Sequence, residues 1–136
     1  MARARVYELM ALKQTIELNA YRREATRLHE ELDRLEKRRE QIADLDQGYR
    51  DHLAAPGLRP GEFRDVTQII ARLHERRDVD DARREILITE RDRVARILAE
   101  KKRQIERLEE EAKAVKAKER QSLEERTALL MPERRK

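Results

Sequence analysis

The chain has 136 residues, of which 46% are charged and only 3% aromatic, yet its net charge is only +4. A compact globular core needs more large apolar side chains than this composition supplies, and the small net charge argues against a disordered polyelectrolyte. The absence of cysteine excludes disulfides, thiol nucleophiles and zinc–thiolate sites. Five of the six glycines and prolines fall between Gly48 and Gly61, which excludes a sandwich, a barrel or a βαβ fold. The sequence therefore predicts an all-α protein of two long helices and a turn.

The first predicted helix covers about residues 3–52, where apolar side chains recur at alternating intervals of three and four. These side chains are Leu18, Tyr21, Ala25, Leu28, Leu32, Leu35, Ile42 and Tyr49. Such spacing is typical of a heptad seam that faces one partner helix. Upstream, the stripe of Val6, Leu9, Leu12 and Ile16 is offset from this register. We therefore expect a stutter between Ile16 and Leu18.

The predicted loop covers residues 53–61, because proline cannot continue a helix and glycine commonly ends one. So short a connection indicates that the two helices are antiparallel neighbours. The prediction for residues 1–136 is a single domain, a coiled-coil hairpin whose second helix is longer than the first.

The second predicted helix covers about residues 62–131 and carries an interrupted seam. Its apolar positions are Phe63, Val66, Ile70, Leu73, Leu87, Val94, Leu98, Ile105, Leu108, Ala112, Val115 and Leu129. The polar block from Arg77 to Arg84 predicts a loosely packed stretch, since such side chains keep their charged ends in water. Folding the chain about residue 57 leaves roughly 20 residues of the second helix beyond the first, and an unpaired amphipathic end needs a partner.

The charged side chains do not form a pattern that indicates catalysis. The three histidines, His29, His52 and His74, lie far apart along a hairpin and are interpreted as solvated surface groups. Two paired helices provide no interior pocket for acid–base chemistry, and the glycines near the turn form no phosphate loop. We expect no enzymatic activity, metal or cofactor.

No segment approaches the ~18 apolar residues of a spanning helix, so we expect a cytoplasmic protein, peripheral to a membrane at most.

Nucleic-acid binding is the rival interpretation of the charges. Basic side chains concentrate between Arg91 and Arg103 and in the tail from Arg134 to Lys136. A nucleic-acid footprint needs these cations on one face, whereas helical spacing spreads them around the helix, and no aromatic side chains accompany them for base stacking. We therefore expect no nucleic-acid partner. A second alternative is a coiled-coil scaffold whose unpaired end associates with its own copy.

Two apolar groups are candidates for binding proteins. We name the first the tip surface, and its residues are Ile42, Leu45, Tyr49, Ile69 and Leu73. Leu45 and Ile69 lie off the seam and should face outward, as in a protein-binding patch; alternatively, the same residues close the hairpin tip. We name the second the terminal surface, and its residues are Val115, Leu123, Leu129 and Leu130.

The sequence resembles the FliJ/YscO family of type III secretion proteins. The resemblance covers nearly the whole chain in length and layout and is clearest in three segments. They are Tyr49-Arg50-x-x-Leu53 before the loop, Ile69-x-x-x-Leu73 after it, and Glu125-Arg126-x-Ala128-Leu129-Leu130-Met131 near the C-terminus.

The resemblance implies a non-enzymatic stalk at the inner-membrane secretion apparatus. Its terminal surface would bind the hexameric secretion ATPase, and its tip surface would bind the cytoplasmic domain of the export gate protein. The polar block from Arg77 to Arg84 departs from the family pattern and leaves open a site for a secretion chaperone. Flagellar and injectisome systems both remain open, with the compact length favouring the injectisome.

Overall fold

The computed structural model describes residues 2–130, which form two α-helices joined by a short loop. Helix α1 covers Ala2–Ala54 (53 residues) and helix α2 covers Pro60–Leu130 (71 residues). The prediction of an all-α helical hairpin with a longer second helix is confirmed, and no strand occurs between residues 2 and 130. The expected end of the second helix at Met131 and the basic tail from Arg134 to Lys136 lie outside the described residues.

The loop between the helices is shorter than the predicted residues 53–61, because α1 extends to Ala54 and α2 begins at Pro60. Proline fits the first position of a helix, where its missing N–H has no intrahelical partner in any case. The backbone N–H of Phe63 donates to the carbonyl of Arg59 at 3.1 Å, which closes the first turn of α2. Gly57 has a φ of 86°, a conformation that residues with a Cβ adopt only at a cost.

Contacts divide the chain into two units, each formed by a segment of α1 packed against a segment of α2. We name residues 24–94 the loop unit, and the remaining described residues, 2–23 and 95–130, the terminal unit.

The loop unit has a thin core of large aliphatic side chains. Its buried apolar residues are Leu28, Leu35, Ile42, Val66, Leu87 and Val94. They lie on the predicted seams of both helices, and the antiparallel order is evident because Asp46 contacts His74 whereas Glu31 contacts Arg83. Phe63 was expected on the second seam but is exposed, and Val66 is the first buried residue of α2.

The terminal unit has a core with smaller side chains. Ala4, Ala11 and Leu18 of α1 are buried, as is Ala112 of α2. These α1 residues recur every seven positions and continue the register of the downstream seam without interruption. The expected stutter between Ile16 and Leu18 was therefore wrong, because the helix buries its alanines and leaves the larger offset side chains in solvent.

No helix within residues 2–130 combines the length and apolar character needed to cross a membrane.

Candidate partner-binding surfaces

The structure separates the tip surface into a buried part and an exposed part. Ile42 is buried in the hairpin seam of the loop unit, so its side chain holds the two helices together. Leu45 is 49% exposed, as expected for an off-seam residue. Tyr49, Ile69 and Leu73 are half-buried. A partner at this surface would contact Leu45 directly and the other three residues by their exposed edges.

Phe63 is a further exposed apolar residue of the loop unit that the sequence interpretation had placed in the seam. Its side chain is 55% exposed in the first turn of α2. Aromatic side chains provide large contact areas and are enriched at protein interfaces. Phe63 is therefore added to the candidate binding residues of the loop unit.

A polar cluster of Asp46, Arg50 and His74 lies among these apolar residues. Arg50 Nε is 3.1 Å from Asp46 Oδ2, and His74 Nε2 is 3.1 Å from Asp46 Oδ1. Burial raises the pKa of Asp46, but the hydrogen bonds from Arg50 and His74 outweigh it and hold the pKa below the ordinary 3.8. The interpretation of His74 as a solvated histidine was incomplete, because this side chain joins α2 to α1.

Asp80 is a buried charge in the polar block of α2, with only 6% of its surface exposed. Arg38 Nε lies 3.3 Å from Asp80 Oδ2, and Arg76 Nε lies 3.5 Å from Asp80 Oδ1. The Arg38 contact is close enough for an ion pair but does not have hydrogen-bond geometry, so Oδ2 is a buried acceptor without a hydrogen bond. Leu35, Ile42 and neighbouring charged side chains lie around Asp80 and leave no space for a water molecule beside it.

The terminal surface combines one half-buried residue with three highly exposed leucines. Val115 is half-buried, whereas Leu123, Leu129 and Leu130 are 64%, 79% and 82% exposed. Such large apolar side chains in water favour a partner-bound state because burying them is favourable.

An open cleft lies beside Leu123 in the terminal unit. Ala4 and Arg5 line it from α1, and Glu119 and Leu123 line it from α2. Glu8 forms an ion pair with Lys116 beside the cleft. Helix pairing thus extends at least to Lys116 of α2. Within the described residues, the part of α2 beyond α1 is therefore shorter than the roughly 20 residues expected.

A third apolar surface, the offset stripe of the sequence together with Met10, lies on the face of α1 opposite the buried alanines of the terminal unit. We name it the outer stripe. Its residues Val6, Leu9, Met10, Leu12 and Ile16 are 48–62% exposed. A signal for this arrangement was present in the sequence, because Ala4, Ala11, Leu18 and Ala25 recur at intervals of seven.

The basic region from Arg91 to Arg103 is partly neutralised by neighbouring acidic side chains. Within the loop unit, Arg93 lies 3.3 Å from Glu90, and Arg91 lies 3.4 Å from Asp92. Within the terminal unit, Lys101 contacts both Glu17 and Gln14. These pairs reduce the positive potential that a phosphate backbone would require.

No group of three or more histidine, cysteine or acidic side chains is placed to hold a metal ion within the described residues.

Comparison of the chain with protein-family models, curated proteins and solved structures found no match. The fold defines a helical hairpin whose exposed apolar surfaces are the candidate sites for partners.

Proposed function

We propose that this chain is a non-enzymatic stalk of a type III protein secretion system, which couples the secretion ATPase to the export gate. The observation that carries the proposal is the exposure of Leu123, Leu129 and Leu130 on the terminal surface. Leu123 and Leu130 are seven residues apart and therefore share one face of α2, next to Leu129. An exposed apolar face of this kind favours a protein partner, and the hexameric secretion ATPase is the partner that the resemblance implies. The helical hairpin supports the proposal because the resemblance implies this fold.

The export gate protein is the second proposed partner, bound at the tip surface. Leu45 and Phe63 are exposed apolar residues of the loop unit, while Tyr49 and Leu73 belong to the segments that carry the resemblance. Because the terminal unit and the loop unit each have their own exposed apolar residues, one chain offers a separate surface to each partner.

Two variants test whether the surfaces act separately. In the terminal variant, Leu123, Leu129 and Leu130 are each replaced by Gln; in the tip variant, Leu45 and Phe63 are replaced by Gln. Glutamine is a good helix former and the five positions are exposed, so the circular dichroism of both variants should match the wild type. Val79→Gln, at a 60% exposed position outside both surfaces, is the matched control.

The assay measures ATP hydrolysis and hexamer formation by the purified secretion ATPase of the same organism, and binding to the cytoplasmic domain of the gate protein. Wild-type protein and the Val79→Gln control should stimulate hydrolysis and bind the gate domain. The terminal variant should lose the stimulation but bind the gate domain, and the tip variant should show the reverse. Failure of the wild-type protein to bind either partner would disprove the proposed function.

A further inference from the structure

The outer stripe of α1 has a symmetric arrangement of side chains. Val6 and Ile16 are β-branched residues at its two ends, and Leu9, Met10 and Leu12 lie between them. The seam positions are balanced about residue 11, because Val6 and Ile16 are each five residues away and Leu9 and Lys13 are each two residues away. An interface across a two-fold axis uses the same surface from both copies and therefore requires such self-complementarity.

From this symmetry we propose that the outer stripe binds the outer stripe of a second copy of the chain, with the two α1 helices antiparallel. The positions Val6, Leu9, Lys13 and Ile16 follow the alternating three- and four-residue spacing of a helix–helix seam. When two such helices are antiparallel about residue 11, Val6 lies against the second copy's Ile16, and Leu9 lies against the aliphatic stem of the second copy's Lys13.

The residues beside this seam are also complementary. In an antiparallel pair related by a two-fold axis, each flank of the seam meets the same flank of the other helix. On one flank, Arg3, Met10 and Glu17 are spaced by seven, so the two Met10 side chains meet. Arg3 lies opposite the second copy's Glu17, whose carboxylate also bonds its own Lys101. On the other flank, Leu12 meets the second copy's Leu12 at the axis.

The exposed area is large enough for such a dimer. Five side chains that are about half exposed leave on the order of 400 Å² of apolar surface on each copy, the patch size at which an exposed surface indicates an interaction site. Adding the polar flanks from both copies gives a total buried area near the lower end of specific interfaces, about 1,200 Å². Lys13 within the seam would favour one register over others, as single polar seam residues do.

Sedimentation equilibrium over a range of protein concentrations tests the dimer. We expect wild-type protein to pass from monomer to dimer as the concentration rises. In the double variant Leu9→Gln/Ile16→Gln, the dissociation constant of the dimer should rise by a factor of about ten or more. The reason is that two apolar side chains from each copy, four in all, are lost from the interface. Ile86→Gln, at a 56% exposed position of the loop unit, is the matched control and should dimerise like the wild type.

Cross-linking tests the orientation, since the chain has no cysteine of its own. Met10→Cys should give a covalent dimer with a short thiol-reactive cross-linker, because the two side chains meet at the axis. Arg3→Cys should not, because antiparallel helices separate the two copies of residue 3 by about 24 Å. In parallel helices each flank would meet the opposite flank of the second copy, so neither variant would cross-link efficiently.

Three results would overturn the proposal: monomeric wild-type protein at every concentration, an undiminished dimer in the double variant, or cross-linking of Met10→Cys no stronger than that of Arg3→Cys. Binding of monomeric protein to anionic phospholipid vesicles through the stripe would also overturn it. If the double variant loses helical content, Leu12→Gln replaces it as the test. The dimer does not depend on the secretion ATPase, so failure of either proposal leaves the other standing.

Discussion

Replacing Asp80 by leucine should stabilise the hairpin, although it removes two ion pairs. Asp80 is buried with one carboxylate oxygen lacking a hydrogen bond. Its partners Arg38 and Arg76 have side chains that are 38% and 54% exposed. Both guanidinium groups can therefore return to water when the carboxylate is removed, and no buried charge is left unpaired. The substitution thus avoids the main cost of breaking a buried ion pair.

The expected size of the effect follows from four contributions. Burying a leucine side chain contributes about 1.5–3 kcal/mol, and removing the buried oxygen without a hydrogen bond contributes about 1–3 kcal/mol. Against these, each partly exposed ion pair is worth about 0–1 kcal/mol. The larger side chain costs about 1–3 kcal/mol of packing strain. The net expectation is a gain of about 1–2 kcal/mol.

Urea unfolding followed by circular dichroism at a fixed protein concentration measures this gain. The midpoint should rise by about 0.5–1 M, given a slope of about 2 kcal/mol per M. Asp81→Leu is the control, because the Asp81 side chain is 42% exposed and lies 3.7 Å from Arg39; its effect should stay within about 0.5 kcal/mol. A loss of stability in Asp80→Leu would refute the reasoning and show that the ion pairs are net stabilising.

Three further predictions concern the loop and the terminal unit. Gly57→Ala should destabilise the hairpin by about 1–2 kcal/mol in urea unfolding, because a Cβ strains the positive φ even though nothing lies within 4 Å. Ala11→Leu should lower stability by about 1–3 kcal/mol, because it overpacks a buried seam position. The hydrogen bond from Lys101, together with its charge, lowers the pKa of Glu17 below 4.5, so its contribution is present above pH 4.5 and lost as the pH falls through the folded value. Lys101→Met should therefore reduce the difference between the Tm at pH 7 and the Tm at pH 3.

Matched substitutions provide the controls for the first two of these predictions. Gly48→Ala lies within α1 with open space around the added Cβ, and it should raise stability by about 0.5–1 kcal/mol. Leu12→Ala, at a 55% exposed position, should leave the stability of the dilute monomer nearly unchanged. Equal losses of stability in Gly57→Ala and Gly48→Ala would contradict the assignment of backbone strain at Gly57. A larger loss of stability in Leu12→Ala than in Ala11→Leu would contradict the assignment of Ala11 as the buried residue.

Heptad spacing predicted most of the fold, because large aliphatic residues such as Leu28, Leu35 and Leu87 mark the seam directly. The seam of the terminal unit was not recognised, since alanine is a weak hydrophobic signal and the larger Val6 and Leu9 dominated the pattern. Helix geometry selects the stripe of Ala4 and Ala11 over the stripe of Val6 and Leu9. A helix already paired at Leu18 presents the residues seven and fourteen positions earlier to the same partner helix. The start of α2 was missed because proline breaks a helix interior but fits its first position.

The candidate surfaces were predicted less completely than the fold. Leu45 lies off the seam and is exposed as expected, whereas Ile42 is buried because it occupies a seam position. The exposure of Phe63 and the contact of His74 with Asp46 depend on how the two helices meet near the loop, which spacing along one helix does not determine. The same holds for Asp80, whose burial depends on the facing residues of α1.

The alanines in the core of the terminal unit have a consequence for local opening. Ala4, Ala11 and Ala112 bury little apolar area, whereas Leu28, Leu35 and Leu87 bury much more in the loop unit. Separating α1 from α2 in the terminal unit should therefore need only a small part of the global unfolding free energy. Backbone amides near Ala11 should exchange with deuterium sooner than those near Leu35 in dilute protein. A helix pair that opens so readily could exchange one of its helices for a helix of another protein at little energetic cost.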